Sequence, residues 1–341
     1  MSRAQLTSTV EQNTGGAVSP YVAGKNKIIN GDFGIWQRGT SFSNPVGVYT
    51  SDRWLIEYDA SGSTTKSVTQ RTFTPSTAPV TGYEGTYYAE FACTVAGSGG
   101  TYNLFEQRIE DVRVFANQTI TYSFWAKAAA NTTIPSVQIR QNFGSGGSAS
   151  VDTTINSSLA VTTAWQRFTG TVTVPSVSGQ TIGTGSYLRF AIFCPINATY
   201  TLNFWGVQLE AGSVATPFTT ASGTLSGELA ACQRYYFRSN SANNSNSFLA
   251  PLGNAISSTA WTCAYTLPVT MRTAPNALDY SGMVYYDGNN PVTISTLTLN
   301  QTNQNTPYLY GTAASGLTAF RGYYLFANTS STAYIGFSAE L

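Results

Sequence analysis

Aromatic and polar residues at alternate positions give one predicted strand of this chain the chemistry needed to hold a sugar. In the segment TITYSFWAK, period-two alternation places Trp125 on one side of the strand. The polar residues on the same side are Thr121, Ser123 and Lys127. If the segment SVQIRQNF lies in the same sheet, its polar residues join that face; these are Gln138, Arg140 and Asn142. A neutral polysaccharide packs its C–H groups on an aromatic ring and bonds its hydroxyls to amide and guanidinium groups.

The alternative for Trp125 is that a loop or a neighbouring subunit covers the ring. Trp205, two residues after Asn203, has the same two interpretations. From the sequence we take Trp125, Gln138 and Arg140 as candidate glycan-binding residues.

The last third of the chain is rich in tyrosine and contains two doublets, Tyr285-Tyr286 and Tyr323-Tyr324. Because side chains alternate along a strand, each doublet must place one ring on each face of its sheet. One ring of each doublet therefore faces a ligand or a neighbouring subunit. Tyrosine is common at recognition surfaces, since it gives a large contact area at low entropy cost. We take Tyr286 and Tyr324 as further candidates for glycan binding.

The segment FEQRIEDVRVF concentrates charged residues and raises the question of an enzyme. Glycoside hydrolysis needs two carboxyl groups about 5–9 Å apart across a cleft, so Glu106 would need a second carboxylate opposite it. The alternating signs are also typical of a polar face whose charges compensate one another. The chain has no histidine, which removes the commonest general base and the commonest metal ligand. We therefore predict a protein without catalytic activity.

The composition excludes several classes of partner. Charged residues make up 10% of the chain, and 17 Lys and Arg nearly balance 16 Asp and Glu. Such a chain has no basic field for nucleic acid or an anionic membrane. The sequence has no apolar run of the ~18 residues needed for a membrane helix, and no apolar signal-peptide core near Met1. Uncharged polar surfaces of this kind are typical of adhesins, carbohydrate binders and virion proteins.

The four cysteines, at positions 93, 194, 232 and 263, lack the CxxC spacing of zinc sites. Cys93 and Cys194 lie within apolar strands, where a free thiol behaves as a small hydrophobic group. We predict buried free thiols, with disulfides as the alternative, and no cofactor other than a structural calcium ion discussed below.

Period-two alternation from Trp54 onward predicts an all-β fold. The runs are rich in β-branched and aromatic residues, and clusters of Gly, Ser, Asn and Pro separate them. About nine strands are predicted between residues 33 and 210, enough for a jelly roll. A Gly/Ser/Thr-rich boundary at residues 210–228 precedes a second, smaller β-sandwich.

The predicted order is an arm followed by two jelly-roll-like β-sandwich domains. Residues 1–26 are polar and cannot bury enough surface to fold alone, so they form a disordered tail or an arm that orders on a partner. Residues 27–218 form the first sandwich and residues 229–341 the second. The segment LAACQRYYFRS, which opens the second, is compatible with a helix or a strand, and its Tyr-Tyr-Phe run favours a strand.

Five segments, in one order along residues 25–240, together resemble a group of bacteriophage tail-fibre and related virion proteins. They are NKIINGDFGIWQRGTSF, YTSDRWLIEY, FEQRIEDVRVFANQTITYSFWAKA, FWGVQLEAGSVATPF and GELAACQRYYFRS. The first domain also resembles the jelly roll of carbohydrate-binding modules, which an NGDF entry strand and a VQLE last strand bracket. Modules of this type often hold a structural calcium ion near those strands, which implies Asp32 and Glu210 as oxygen ligands here.

The resemblance implies a homotrimer whose residues 1–24 dock on other tail or baseplate proteins of the virion. The C-terminal sandwich would then recognise the receptor, and the protein would attach the phage to a host surface glycan without hydrolysis. A virion component assembled in the host cytoplasm also fits the lack of a signal peptide. Two alternatives remain open. One is a structural role as a capsid decoration protein, a head fibre, or a baseplate or tail connector; the other is a polysaccharide depolymerase.

Overall fold

A computed structural model describes residues 24–80, 83–242 and 244–341. Most of the predicted arm, residues 1–23, lies outside this range. The chain divides into two compact units, of which unit 1 extends to Glu228 and includes Leu341, while unit 2 is Leu229–Glu340. Among the described residues, 22 strands and one helix form the regular structure, which confirms the all-β prediction. None of the helical structure in that range is long and apolar enough to cross a membrane.

Unit 1 is a sandwich of two six-stranded antiparallel sheets. Sheet A has the order β1 (Ser41–Ser43), β4 (Thr65–Thr72), β5 (Tyr87–Val95), β12 (Tyr200–Ala211), β7 (Thr119–Ala128) and β10 (Gln166–Thr173). Sheet B has the order β2 (Val48–Tyr49), β3 (Leu55–Tyr58), β6 (Asn103–Glu110), β11 (Tyr187–Phe193), β8 (Thr132–Asn142) and β9 (Val151–Val161). The edge strands β1 and β2 have three and two residues, too few for a period-two pattern to reveal.

The core of unit 1 lies between the inward faces of the two sheets. On β7 the inward side chains include Tyr122 and Phe124, and on β11 they include Phe190, all fully buried. Alternation of this kind stabilises the sandwich because each large apolar side chain removed from water contributes roughly 1.5–3 kcal/mol. The pattern also fixes which residues of each strand point outward, and those residues form the candidate site.

The chain enters unit 1 through a packed turn. The resemblance implies an entry strand at NGDF, but Asn30 and Phe33 have positive φ values of 57° and 56°. The Asn30 amide donates to the carbonyls of Ile35 and Asp52 at 2.8 and 3.0 Å. Phe33 is fully buried, with its ring 5.1 Å from that of Trp54. The strand prediction was wrong because the Asn30 side chain supplies the hydrogen bonds that a strand partner would provide.

The segment before this turn is attached to unit 1. Asn26 is 1% exposed, and its amide donates to the carbonyls of Val207 and Thr219. Lys25 forms an ion pair with Glu210 at 3.0 Å. Residues 24–26, the end of the predicted arm, are thus bonded to the sandwich.

Unit 2 contains a three-stranded sheet C and a seven-stranded sheet D. Sheet C has the order β13 (Tyr236–Asn240), β22 (Tyr334–Ser338) and β16 (Ala277–Ser281). Sheet D has the order β18 (Pro291–Thr293), β17 (Val284–Tyr286), β21 (Gly322–Phe326), β14 (Gly253–Ala255), β15 (Ala260–Ala264), β20 (Tyr308–Thr312) and β19 (Thr296–Asn300). Trp261, Tyr285 and Phe337 belong to its buried core.

A helix, α1 (Leu225–Gln233), precedes β13. Its first turn is capped by Thr224, whose Oγ1 accepts the Gly227 N–H at 3.1 Å. Leu and Ala residues then favour helix over strand. The strand prediction for LAACQRYYFRS was therefore wrong up to Gln233 and right from Tyr236.

Candidate functional site

The outward residues of β7 begin the candidate site. Phe124 and Ala126 belong to the core of unit 1, whereas Trp125 and Lys127 point to the opposite face of sheet A. The alternation predicted for this strand is confirmed. Both outward side chains are half-buried, so neighbouring elements surround them without covering them completely.

The register of sheet A aligns the outward residues in rows across the strands. Glu90 of β5 lies opposite Asn203 of β12, and Asn203 lies opposite Lys127 of β7. In the adjacent row, Trp205 of β12 lies opposite Trp125. One row is thus polar and the next aromatic.

Trp205 is covered by loops and is not available to a ligand. Its side chain is 0% exposed, and its ring packs against Tyr83, Phe218 and Phe73 at centroid distances of 5.3, 5.1 and 6.1 Å. Trp125 packs at the border of this cluster. The covered interpretation is therefore correct for Trp205, while Trp125 keeps part of its ring accessible.

Two half-buried aromatic rings lie close to the Lys127 ammonium. Lys127 Nζ lies 5.1 Å from the centroid of the Trp165 ring and 5.5 Å from that of Tyr88. The two rings are 5.5 Å apart and nearly perpendicular, at 87°. Both rings are half-buried. We call this group, with Asn203, the Lys127 site.

Asn203 supplies the polar floor of the Lys127 site. Its side chain is 5% exposed, and its Oδ1 has no hydrogen-bond partner in residues 24–80, 83–242 or 244–341. An unsatisfied buried acceptor of this kind costs about 1–3 kcal/mol. The site therefore borders a buried hydrogen-bond acceptor that lacks a donor among the described residues.

Two of the three cationic side chains around the site have hydrogen-bond acceptors, and the third, Lys127, has aromatic contacts instead. Arg71 donates two hydrogen bonds to the Glu90 carboxylate, at 2.6 and 3.1 Å. Arg167 donates to Ser123 Oγ at 3.1 Å and to the Thr216 carbonyl. Lys127 has the two aromatic contacts but neither an ion pair nor a hydrogen bond to any described residue. The local balance is positive.

The structure places Gln138 and Arg140 on the other sheet from Trp125, so the three do not form one surface. They lie on β8 of sheet B, whereas Trp125 lies on β7 of sheet A. Arg140 donates a bidentate pair of hydrogen bonds to the Asp152 carboxylate, at 2.6 and 2.7 Å, and these bonds raise the pKa of the arginine. Gln138 donates to Ser136 Oγ at 3.1 Å. The shared face was wrongly assumed because the chain crosses between sheets after β7.

Glu106 is the centre of a charged array on the outer face of sheet B. Its carboxylate lies 3.0 Å from Arg108 and 3.4 Å from Arg189, and its side chain is 0% exposed. Burial raises its pKa, against the opposing effect of both arginines. The structure therefore gives Glu106 two cationic partners, as the compensating-charge interpretation predicted.

Asp32 and Glu210, the implied calcium ligands, each have other partners. Glu210 pairs with Lys25 and accepts hydrogen bonds from Thr216 at 2.9 Å and Gln208 at 2.7 Å. Burial would raise the pKa of Glu210, but these hydrogen bonds outweigh it and lower the pKa. Within the described parts of the chain, no group of three His, Cys, Asp or Glu residues is placed to hold a metal ion. Lys25 therefore pairs with one of the two carboxylates that the resemblance implies as calcium ligands, and calcium binding by Asp32 and Glu210 stays a prediction.

Asp32 lies instead beside Glu228. Both line a cavity of about 160 Å³, with Tyr83 at its wall. Burial, and next the Glu228 carboxylate, raise the pKa of Asp32 to about 6. Glu228 is held by hydrogen bonds from the Asn30 N–H at 2.5 Å and the Ser222 hydroxyl at 2.9 Å. Asp32 is thus a buried carboxyl group whose pKa lies above that of an exposed aspartate.

The tyrosine doublets of unit 2 place one ring on each face, as predicted. Tyr285 and Tyr323 are 0% and 1% exposed in the core. Tyr286 and Tyr324 are half-buried on the other face of sheet D and lie opposite each other in the β17–β21 pair. Phe248, which is 59% exposed, packs on Tyr324 with 4.7 Å between ring centroids. Unit 2 therefore brings both candidate tyrosines into one aromatic patch.

Tyr88 and Trp165 were missed by the sequence analysis. Tyr88 belongs to the segment TYYAEFACTV, where alternation already placed Tyr87, Ala89 and Phe91 on the other face. Trp165 lies just before β10, so the alternation within that strand does not assign it to a face. The outward position of Tyr88 was available from the pattern, but the proximity of Trp165 depends on the pairing of β10 with β7.

No protein-family model and no curated protein sequence matches the chain. Among solved structures, a CBM4 carbohydrate-binding module is similar at 21% identity, covering 54% of this chain and 98% of that one, with a TM-score of 0.31. The CBM22-1 xylan-binding domain of Xyn10C from Paenibacillus barcinonensis is similar at 15% identity, covering 57% and 98%, with a TM-score of 0.32. The enzymatically active domain of tailspike protein 4 from bacteriophage CBA120 is similar at 17% identity, covering 57% of this chain and 22% of that one, with a TM-score of 0.34.

Proposed function

We propose that this protein binds a glycan through the Lys127 site and does so without catalysis, as a tail fibre or tail spike that attaches a phage to its host. The observation that supports binding is the perpendicular pair of half-buried rings, Tyr88 and Trp165, beside the unsatisfied Asn203 amide. Sugar rings pack their C–H groups on such rings and bond their hydroxyls to such amides.

The binding mechanism is a shallow, multivalent contact. One sugar residue packs on Trp165 or Tyr88, and a neighbouring hydroxyl donates to Asn203 Oδ1. A single contact of this size gives weak affinity, so several copies of the chain on one particle would supply the strength through avidity. A homotrimer, the oligomer that the sequence resemblance implies, would present three Lys127 sites.

The direct test is a glycan array probed with the full chain and three variants. Trp165→Ala removes the ring and is expected to lower binding about 10-fold or more, whereas Trp165→Tyr keeps a ring and most of the affinity. Arg140→Ala, on sheet B, is the control and is expected to bind like wild type. Equal binding by all variants, or no binding by the wild type, would refute the proposed site.

The attachment role is supported by the ordered set of segments that resembles phage tail-fibre proteins. A cryo-EM map of the intact particle tests it. Residues 1–24 ordered against tail or baseplate proteins, with the Lys127 site facing solvent, are expected. Density on the capsid shell, or a Lys127 site buried between subunits, would favour the structural alternative of a decoration, head-fibre or connector protein.

One observation favours the depolymerase alternative. Asp32, whose pKa is about 6, lines a cavity beside a second carboxylate, and a raised pKa is typical of a general acid. Release of reducing ends from a bound polysaccharide by wild type, and its loss in Asp32→Asn, would establish hydrolysis. We expect no release, because Glu228 is committed to the hydrogen bonds from Asn30 and Ser222.

A further inference from the structure

We propose that the ligand of the Lys127 site is an acidic sugar, a hexuronate whose carboxylate pairs with the Lys127 ammonium. This inference rests on the proposed glycan binding and specifies its substrate class. It changes the expectation from the sequence, in which a neutral polysaccharide was the predicted partner of this face.

The first argument is the state of the Lys127 charge. The two neighbouring arginines on this face have acceptors, because Arg71 bonds to Glu90 at 2.6 Å and Arg167 bonds to Ser123 at 3.1 Å. Lys127 has aromatic contacts alone among the described residues, with ring centroids at 5.1 and 5.5 Å. Two aromatic faces attract a cation but do not neutralise it. An anion beside Lys127 would therefore find a cation with no competing carboxylate bound to it.

The second argument is the buried Asn203 amide next to Lys127 in the register of β12 and β7. Its Oδ1 is buried without a donor, so a rotation of the amide that brings it to the surface would favour a ligand that carries a hydroxyl as well as a charge. A simple inorganic anion, which carries no sugar hydroxyls, would leave this acceptor unsatisfied. A sugar acid provides both groups on one ring.

The third argument is the shape of the aromatic pair. Tyr88 and Trp165 meet at 87°, so a ring packed on one of them has its edge directed toward the other. The Lys127 ammonium lies 5.1 Å from the Trp165 centroid and 5.5 Å from the Tyr88 centroid, so it is within reach of substituents on a sugar that contacts the accessible part of either ring. The carboxylate of a hexuronate projects from the edge of its ring, so it can extend toward Lys127 while the sugar ring contacts an aromatic side chain.

The test is calorimetric titration of the full-length protein with four trisaccharides: trigalacturonate, trimannuronate, and their neutral counterparts galactotriose and mannotriose. At least one acid is expected to bind about 10-fold more tightly than its neutral counterpart. That preference is expected to fall as the salt concentration rises from about 0.05 to about 0.5 M, because salt screens the charge pair.

Lys127→Gln is expected to abolish the preference while keeping the weaker binding of the neutral sugar. Lys27→Gln removes one exposed lysine elsewhere in unit 1 and is the matched control, with the preference unchanged; a thermal melt confirms that each variant folds.

Equal binding of acid and neutral sugars, lost in Trp165→Ala, would overturn the acid preference and leave the proposed function standing. An acid preference that survives in Lys127→Gln would overturn the inference as well. No binding of any trisaccharide by wild type would overturn it too, and a wild type that also fails on the glycan array would refute the proposed function.

Discussion

Asn203 lies directly opposite Lys127 in the β12–β7 pair, so a buried amide without a donor and an ammonium without a carboxylate occupy neighbouring positions on one sheet. Glu90 continues the row on the far side of Asn203 but is bonded to Arg71. The polar row therefore ends in an unmatched positive charge beside two aromatic rings. The proposed ligand follows from that arrangement.

Neutralising Glu90 is expected to strengthen binding of an acidic sugar. Glu90→Gln leaves the Arg71 guanidinium, which lies opposite Tyr88 in the adjacent row, without its carboxylate and so adds a second available cation beside the Lys127 site. Because this pair is partly exposed, the expected gain in affinity is modest, about two- to fivefold. Titration of trigalacturonate into Glu90→Gln and Arg71→Gln measures it, with a loss expected for the second variant. A gain in both variants would contradict the charge argument.

Alanine substitutions at Tyr285 and at Tyr286 are expected to lower the free energy of unfolding by different amounts. Tyr285→Ala opens a cavity in the core of unit 2 and is expected to lower the free energy of unfolding by about 3–5 kcal/mol. Tyr286→Ala, on the half-buried outer face, is expected to change it by about 1 kcal/mol or less. Urea denaturation of both variants provides the comparison. Similar losses for the two would contradict the register of β17.

Asp32 is expected to make the stability of the protein depend on pH. Its pKa is raised from 3.8 to about 6, so the folded state binds the proton more tightly than the unfolded state does. Protonated Asp32 therefore stabilises the folded state relative to the ionised form. This contribution to the free energy of unfolding is fully present below pH 3.8 and is lost as the pH rises through about 6. At pH 7 the wild type must keep an ionised carboxylate buried, which costs free energy. Asp32→Asn carries no such charge and is expected to be more stable than wild type by about 1–3 kcal/mol.

Thermal and urea denaturation at pH 4, 5, 6 and 7 measure this difference. The advantage of Asp32→Asn should shrink toward pH 4, where the wild-type carboxyl is protonated as well. Asp59→Asn is a useful control, because hydrogen bonds from Ser61 and Thr101 lower the pKa of Asp59 to about 2. The same pH profile for wild type and Asp32→Asn would refute the assignment.

Removing the buried Glu106 carboxylate is expected to destabilise unit 1. Glu106→Ala leaves Arg189, 5% exposed, next to a cavity and without its buried partner, at an expected cost of about 3–5 kcal/mol. Arg113→Ala breaks an exposed pair with Asp111 and is expected to cost about 0.5 kcal/mol or less. Denaturant midpoints of both variants are the measurement, and a small loss for Glu106→Ala would contradict a structural role.

The sequence predicted the face that each residue of a strand would occupy, but not which strands would be neighbours. In TITYSFWAK the alternation correctly separated Trp125 and Lys127 from Phe124. It did not predict that Arg140 lies on the opposite sheet, because pairing across a sandwich depends on long-range packing. For the same reason, the pairing of β10 with β7 that brings Trp165 to Lys127 had no local signal.

Two local features also went against the pattern. Phe33 is an aromatic residue with positive φ, and its turn is held by the Asn30 side chain instead of a strand partner. Glu210, which the resemblance implies as a calcium ligand, pairs with Lys25 of the entering chain. Both outcomes depend on side-chain contacts that apolar periodicity does not encode.

The most direct test of glycan binding at the Lys127 site is a crystal structure of the protein with the tightest-binding oligosaccharide from the array. The predicted result is a sugar ring packed on Trp165 or Tyr88, a hydroxyl donating to Asn203 Oδ1, and a carboxylate beside Lys127 Nζ. Density on the Tyr286–Tyr324 patch of unit 2, or on the Gln138–Arg140 face of sheet B, with the Lys127 site unoccupied, would contradict the account.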